Sequence, residues 1–433
     1  MAASRLGRLG GFTLLRPLAI RDFALLWAGV TFSLFGMGVY LVALAWQVYE
    51  LSNSPTALSV VGFAWSVPML VFLLGGGVIS DRMDRRRVMI AGDLIRVLGI
   101  GTMGMLSVLG VLELWHVVVL VVFEGVGEAL FGPSFGAIVP DLVPGELLVQ
   151  ANSLNQFVEP LGIRLLGPAV GGAAIAAFGT GTAFLITAGT FLLSALAVWL
   201  IRTRREVPSS DKEPSVRREI AEGFRFVRAH VWLWGTLVSA ALGLLLFVGP
   251  YEVLVPYVVK NELSGGADDL GYVFASGGVG AVLAALVLGH RGLPRKHMRF
   301  MYFTWSLSML ALAGYGVAEE LWHAMAASFV GGGSFTAGLI VWSTLMQRLV
   351  PTELLGRVSS FDWFVSVSLI PASFAITGPI AAAIGPQATL IGAGVVGVPA
   401  TLAFLWLPGM RATEADERFG RPPRLTTGSD KAR

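Results

Sequence analysis

Two apolar runs, residues 57–80 and 88–110, are joined by a turn that carries Asp81, Arg82, Asp84, Arg85, Arg86 and Arg87. Each run is long enough to cross a bilayer, which takes about 20 apolar residues. Arginines so crowded cannot sit in hydrocarbon, so the turn lies at a membrane face. The bias of Lys and Arg toward the cytoplasm puts that face inside. The same alternation continues along the chain, with runs near 22–49, 57–80, 88–110, 114–139, 151–177, 181–202, 232–258, 269–290, 299–317, 321–347, 359–384 and 387–408. Each run must be a helix, because a single helix satisfies its backbone polar groups internally. The expectation is an all-α membrane protein with 12 transmembrane helices, both termini cytoplasmic, in the plasma membrane.

Composition agrees. Of 433 residues, 55% are hydrophobic and only 14% are charged, against about 25% charged in soluble domains. The net charge of +3 does not mark a nucleic-acid binder. All Lys and Arg except Lys260, Arg96 and Arg164 fall in the inner segments, which is membrane topology. With no cysteine, disulfides, thiolate-bound metals and thiol catalysis are excluded. The 5 histidines lie at or near span ends without metal-ligand spacing. Neither a metal nor a cofactor is expected. The first run, Phe23 to Val48, is too long for a cleavable signal and is expected to stay as an anchor.

The longest inner loop separates six spans from six. The expected division is an N-terminal six-helix half (1–203), a cytoplasmic linker (204–231), a C-terminal six-helix half (232–408) and a disordered cytoplasmic tail (409–433). The end of the linker sets Val216, Ile220, Phe224 and Val227 on one helical stripe with arginines around it. Such a helix is expected to lie on the inner membrane surface. An internal repeat supports two six-helix pseudo-repeats. Val143-Pro144 with Glu146-Leu147-Leu148 recurs as Val350-Pro351 with Glu353-Leu354-Leu355, and each copy precedes a span with a Gly-Pro step, Gly167-Pro168 and Gly378-Pro379. Two parallel halves with a site between them is a transporter plan.

These features resemble the major facilitator superfamily, within it the drug-efflux group of macrolide, tetracycline and siderophore exporters. The likeness covers nearly the whole chain. The family's pattern after the second span is matched by Gly77, Asp81, Arg82, Arg85 and Arg86, with Asp84 where the family has a glycine. Its antiporter-type fifth-span pattern is matched by Gly167, Pro168, Gly171 and Gly172, with Ile163 where a further glycine is usual. The arginine that many relatives carry in the fourth span is absent, and Glu124 lies near that point.

Charges inside spans are costly and so are functional candidates. At about 1.5 Å per residue, Arg96, Glu128 and Glu159 share one depth, and Glu124 and Arg164 lie near the middle. A buried proton-coupling cluster of Arg96, Glu124, Glu128, Glu159 and Arg164 is expected, with Asn155 and Gln156 beside it; the alternative is a set of structural ion pairs. For the arginine turn the resemblance implies a gate. Gly77 would let the second span approach its neighbour, Asp81 would meet the start of the eleventh span, and Arg82, Arg85 or Arg86 would reach Asp362. Gly167, Pro168, Gly171 and Gly172 would let the fifth span bend and pack closely. Met37, Tyr40, Gln156 and Trp342, with Trp46 and Trp363, are candidates for a substrate cavity; packing or an interfacial belt is the other reading.

Two soluble-enzyme motifs are discounted. Gly99, Gly101 and Gly104 fit a dinucleotide fingerprint, and Gly132, Ser134 and Gly136 fit a nucleophile elbow, but both lie inside spans. None of the four lysines completes a nucleotide-binding loop. The expected function is a non-enzymatic, monomeric secondary transporter whose partners are protons, a small-molecule substrate and lipid, exporting small amphipathic compounds. A nutrient-importing permease of the same fold and a polytopic enzyme or sensor are the alternatives.

Overall fold

The computed structural model describes residues 13–203 and 216–415. The side chains of Gly77, Asp81, Arg82 and Gln156 lie outside the described residues, as do residues 204–215 and 416–433 of the expected linker and tail. Among the described residues there is no strand. The long helices are α1 (Arg21–Leu51), α2 (Pro55–Arg82), α3 (Arg85–Val108) and α4 (Leu114–Leu142). Next, α5 runs through Leu148–Glu159, a π-helical Pro160–Leu166 and Gly167–Phe178, and α6 is Thr180–Trp199. The linker helix is α7 (Val216–Ala229), and α8 is Val231–Gly249, running on through π-helical stretches to Glu262. Then come α9 (Ala267–Arg291), α10 (His297–Gly316), α11 (Leu321–Leu349), α12 (Thr352–Ser368 continued by Ile370–Ile384) and α13 (Pro386–Leu402).

Eleven of these segments are long and apolar enough to cross a membrane, and α10 is not among them. The first turns of α10 carry His297, Arg299, Thr304, Ser306 and Ser308, which dilute its apolar character. Large apolar side chains such as Phe178 and Phe303 stay exposed around the bundle. In a multi-pass membrane protein such a surface faces lipid tails.

Helices α1 to α6 pack mainly on one another, as do α8 to α13, with α2 against α12 and α5 against α9 joining the two sets. The apolar core shows where they are joined. Its largest cluster draws on both sets, from Val39 and Tyr49 to Val253, Leu270 and Phe374. These residues sit toward the ends of α1, α8 and α12 and the start of α9, the face away from the described termini. On the terminal face the core is split. One cluster runs from Phe23 to Ile201 and another from Val227 to Met410, with no residue in common. Among the described residues the apolar core is therefore shared by the two sets on the far face and separate on the terminal face.

Close approach makes the seal possible. A Cβ on Gly172 of α5 would lie 2.6 Å from the Ala267 carbonyl oxygen of α9, so only a glycine fits this crossing. On the opposite side of α5, a Cβ on Gly167 would lie 2.6 Å from the Gly38 Cα of α1. Polar bonds complete the far face. The Tyr49 hydroxyl donates to the Val253 carbonyl at 2.5 Å, Lys260 Nζ donates to the Tyr49 carbonyl at 2.7 Å, and Asn53 Nδ2 donates to Asn261 Oδ1 at 2.9 Å.

The linker helix docks on the bundle. Glu222 of α7 pairs with Arg357 of α12 at 2.7 Å, Phe224 lies 6.2 Å from Phe361, and Val227 joins the core. The described part of its apolar stripe, Phe224 and Val227, thus finds cover against the start of α12 and the core.

Candidate functional site

The innermost charges gather between α3 and α4. A Cβ on Gly127 would come within 2.7 Å of the Gly92 carbonyl oxygen, so these two glycines let the helices cross closely. Arg96, only 2% exposed, reaches across that crossing to pair with Glu128. It also lies 3.8 Å from Asp93, one turn back on its own helix. Two rings flank the guanidinium, Phe131 at 5.2 Å and Phe191 at 5.0 Å, and hold it by cation–π attraction. Glu124 is 1% exposed and lies one turn from Glu128, within electrostatic reach of Arg96 and bordered by Tyr40 and Trp65. Among the described residues its Oε1 has no well-formed hydrogen bond, nor has either carboxyl oxygen of Asp93; the Trp65 indole and the Ser194 hydroxyl are the neighbouring donors. Three carboxylates thus surround one guanidinium: Asp93 and Glu124 are dry, and Glu128 is 33% exposed. With Glu128 paired to Arg96, ionised Asp93 and Glu124 would leave two negative charges in low dielectric, an arrangement that is penalised heavily.

The expected five-residue cluster is only partly assembled. Arg96, Glu124 and Glu128 come together, joined by Asp93, which the sequence reading passed over. Glu159 is exposed and not in this group. Arg164 points elsewhere: it lies within the π-helical Pro160–Leu166, whose wider turn sets its direction apart from that of an ideal α-helix. It enters a cavity of about 210 Å³ between the two helix sets, whose wall also carries Tyr251, Glu252, Phe247 and Phe335. Arg164 and Glu252 attract one another across this space, and the guanidinium lies 5.7 Å from the Phe335 ring. Glu252 occupies a second π-helical stretch, Pro250–Leu254. It too was missed, although a carboxylate inside an apolar run was the available signal for both it and Asp93.

The expected reach of Arg85 and Arg86 to Asp362 is not made in this conformation. Arg85 Nη1 donates to Asp141 Oδ2 and to the Ala137 carbonyl, both at 2.7 Å, and Arg86 donates to the Trp199 carbonyl at 2.9 Å. Asp84, the residue standing in for the usual glycine, caps α3 by accepting from the Arg86 backbone N–H at 3.0 Å.

Asp362 instead accepts from Trp342 Nε1 at 3.1 Å and from Ser366 at 3.4 Å. With Trp342 and Trp363 it lines a second cavity, of about 270 Å³, which shares Phe247 and Phe335 with the first. Of the other substrate candidates, Met37 packs against the far-face core, Tyr40 is buried 6.1 Å from Phe184, and the Gln156 side chain is outside the described residues. Gly167, Pro168, Gly171 and Gly172 are all buried in the helix crossings that close the far face.

Similar proteins share this architecture. The chain resembles multidrug efflux pump Tap of Mycolicibacterium fortuitum, 29% identical over 91% of this chain and 96% of that protein. Macrolide efflux protein A of Streptococcus pyogenes is 24% identical over 84% of this chain and 90% of its own. Enterobactin exporter EntS of Shigella boydii is 26% identical over 92% and 93%. Among solved structures, a mutant of the peptide transporter POT superposes with a TM-score of 0.71 at 13% identity, covering 90% of this chain and 95% of that one. An inward-facing bacterial homologue of the lysosomal transporter Spinster gives 0.65 at 15% identity, covering 91% and 95%. At such identities the superpositions speak for the fold alone. The model of the family described as transmembrane secretion effector, MFS_3, matches residues 12–426, and the chain therefore belongs to this family of major facilitator transporters, proteins that move solutes and are not enzymes.

Proposed function

We propose that the protein is a proton-driven exporter of small amphipathic compounds that works by alternating access. The supporting observation is the pair of buried carboxyl groups, Asp93 and Glu124, beside the Arg96–Glu128 ion pair, where surplus negative charge makes a proton the natural neutralising partner. In this reading α10 is the twelfth span, and α1 to α6 and α8 to α13 are two halves that rock about the far-face seal. Both termini and the parted face are cytoplasmic, matching the arginine-rich turns, and the membrane is the plasma membrane. The split cores on the terminal face fit a cleft open to the cytoplasm, through which a substrate would enter. The protein acts as a monomer.

A duplicated helix start supports the two halves. At α4 the Glu113 backbone N–H donates to His116 Nδ1 at 3.1 Å and Trp115 Nε1 donates to Glu113 Oε2 at 2.7 Å. At α11, the Glu320 N–H donates to His323 Nδ1 at 3.2 Å and Trp322 Nε1 to Glu320 Oε2 at 3.0 Å. The same four-residue cap thus recurs at the spacing of the Val-Pro repeat.

As the halves rock, a protonated carboxyl that moves from the dry site into water loses its proton, and a carboxylate that returns to the dry site without a cationic partner regains one. Names of the relatives favour drugs and siderophores as cargo and suggest a role in antibiotic resistance. The test is transport into inverted membrane vesicles with an imposed pH gradient and a panel of amphipathic drugs. Uptake should require the gradient and fail in Glu124→Gln. Uptake that is indifferent to the gradient, or intact in Glu124→Gln, Glu128→Gln and Asp93→Asn alike, would end the coupling proposal.

A further inference from the structure

The second cavity lies among α8, α10, α11, α12 and α13 and is walled by rings. Trp305, Trp342 and Trp363 face it together with Phe247 and Phe335, and one carboxylate, Asp362, sits among them. Asp362 lies about 15 Å along α12 from its start, well inside the bundle. Among the described residues its oxygens are met by neutral donors only, the Trp342 indole N–H and the Ser366 hydroxyl. No basic side chain pairs with it among the described residues. This sets it apart from Glu128 and Glu252, which face Arg96 and Arg164.

We infer that this aromatic box is a binding site for an organic cation, with Asp362 as its counter-ion. The chemistry selects the ligand. Ring faces carry negative electrostatic potential and attract a cation within about 6 Å of their centres. A carboxylate in the same wall adds a full opposite charge that water screens poorly in a narrow cavity. An anion of the same shape meets repulsion from both, and a neutral ligand leaves the carboxylate unmet. A plain packing role for Trp342 and Asp362 would explain their hydrogen bond. It would not explain the open space around that bond, nor Trp363 at 53% exposure beside it. The rings of Phe247 and Phe335 lie 6.3 Å apart and nearly parallel, and they form a wall common to this box and the cavity of Arg164 and Glu252. A flat aromatic cation therefore has a continuous ring-lined surface from Asp362 toward Glu252.

The inference names a substrate class for the transport reading and rests on that reading only for movement of the ligand, not for its binding. The test is equilibrium binding to the purified full-length protein in detergent, followed by tryptophan fluorescence. The probes are N-methyl-4-phenylpyridinium and 4-biphenylcarboxylate, a cation and an anion on similar frames. The cation should quench saturably and the anion should not. Asp362→Asn should weaken cation binding about tenfold or more, equivalent to about 1.4 kcal/mol. Asp362→Glu should retain most of it, Trp363→Leu should weaken it severalfold, and the exposed Glu319→Gln should match the parent. Equal binding of the two probes, or parent-like affinity in Asp362→Asn, overturns the site. If Asp362→Asn does not fold, parent-like affinity in Trp363→Leu overturns it instead. Saturable cation binding without gradient-driven uptake would sink the exporter proposal and leave the site standing. Gradient-driven uptake of other compounds without cation binding would do the reverse.

Discussion

Replacing Arg96 by Met isolates the energetics of the buried charge set. Arg96 is 2% exposed and Asp93 is fully buried at 3.8 Å, with no well-formed hydrogen bond to either carboxyl oxygen among the described residues. Two unit charges at that separation attract by about 4 kcal/mol at an effective dielectric constant of about 20. Methionine fills much of the same volume but leaves Asp93, Glu124 and Glu128 facing one another unopposed. Removing one partner of a buried ion pair costs about 3–5 kcal/mol, so Arg96→Met should lose that much stability. Adding Asp93→Asn removes one orphaned charge and should restore about 2–3 kcal/mol, the coupling typical of contacting residues. Denaturant unfolding of the four members of this cycle, in one detergent, measures both quantities through tryptophan fluorescence. A loss under about 1 kcal/mol in Arg96→Met, or strict additivity in the double variant, would refute the charge-set argument.

Three further outcomes follow from the packing. Gly172→Leu cannot share the crossing with Ala267, so the variant should remain parted on the far face, read as faster labelling of a cysteine placed at Asn261. Tyr49→Phe loses a buried hydrogen bond to Val253 worth about 1 kcal/mol and should raise the same labelling rate; an unchanged rate would show that this bond is not part of the seal. Glu222→Lys sets two positive charges together at the docked linker helix and should speed trypsin cleavage at Arg225 or Arg228. Its effect on global stability should stay below about 1 kcal/mol, because the Arg357 pair is partly exposed.

Much of the fold was legible because a bilayer leaves few choices. Apolar runs of bilayer length must be helices, and arginine-rich turns must leave the hydrocarbon. The Gly167-Pro168-x-x-Gly171-Gly172 segment was legible as a close-packing device because absent side chains and an absent backbone N–H have the same consequence in any helix. The structure then supplied which neighbours it meets, α1 on one side and α9 on the other. The duplicated Glu-Leu-Trp-His cap was equally present in the sequence, but its meaning as a cap needed the hydrogen bonds.

The candidate site was legible in kind and not in detail. Charges inside apolar runs marked Arg96, Glu124 and Glu128 correctly as neighbours. Counting residues along ideal helices assigned Arg164 to the same group, and it failed because Arg164 lies inside the π-helical stretch Pro160–Leu166, where the turn is wider than the count assumes. Glu159 failed for a related reason: shared depth in the membrane does not mean a shared side of a helix. Asp362 was read as the partner of arginines because opposite charges at one face invite pairing. Its nearest groups are instead an indole and a hydroxyl.

Sequence by itself determined that this chain crosses a membrane repeatedly as helices, because the cost of burying an unpaired backbone or a bare charge in lipid depends on composition and order alone. Tertiary structure alone decided which charges meet, which face is sealed and where space remains. Those outcomes depend on helix rotation and crossing distance, and a single π turn or a glycine contact changes them without altering the hydropathy of the run that contains it.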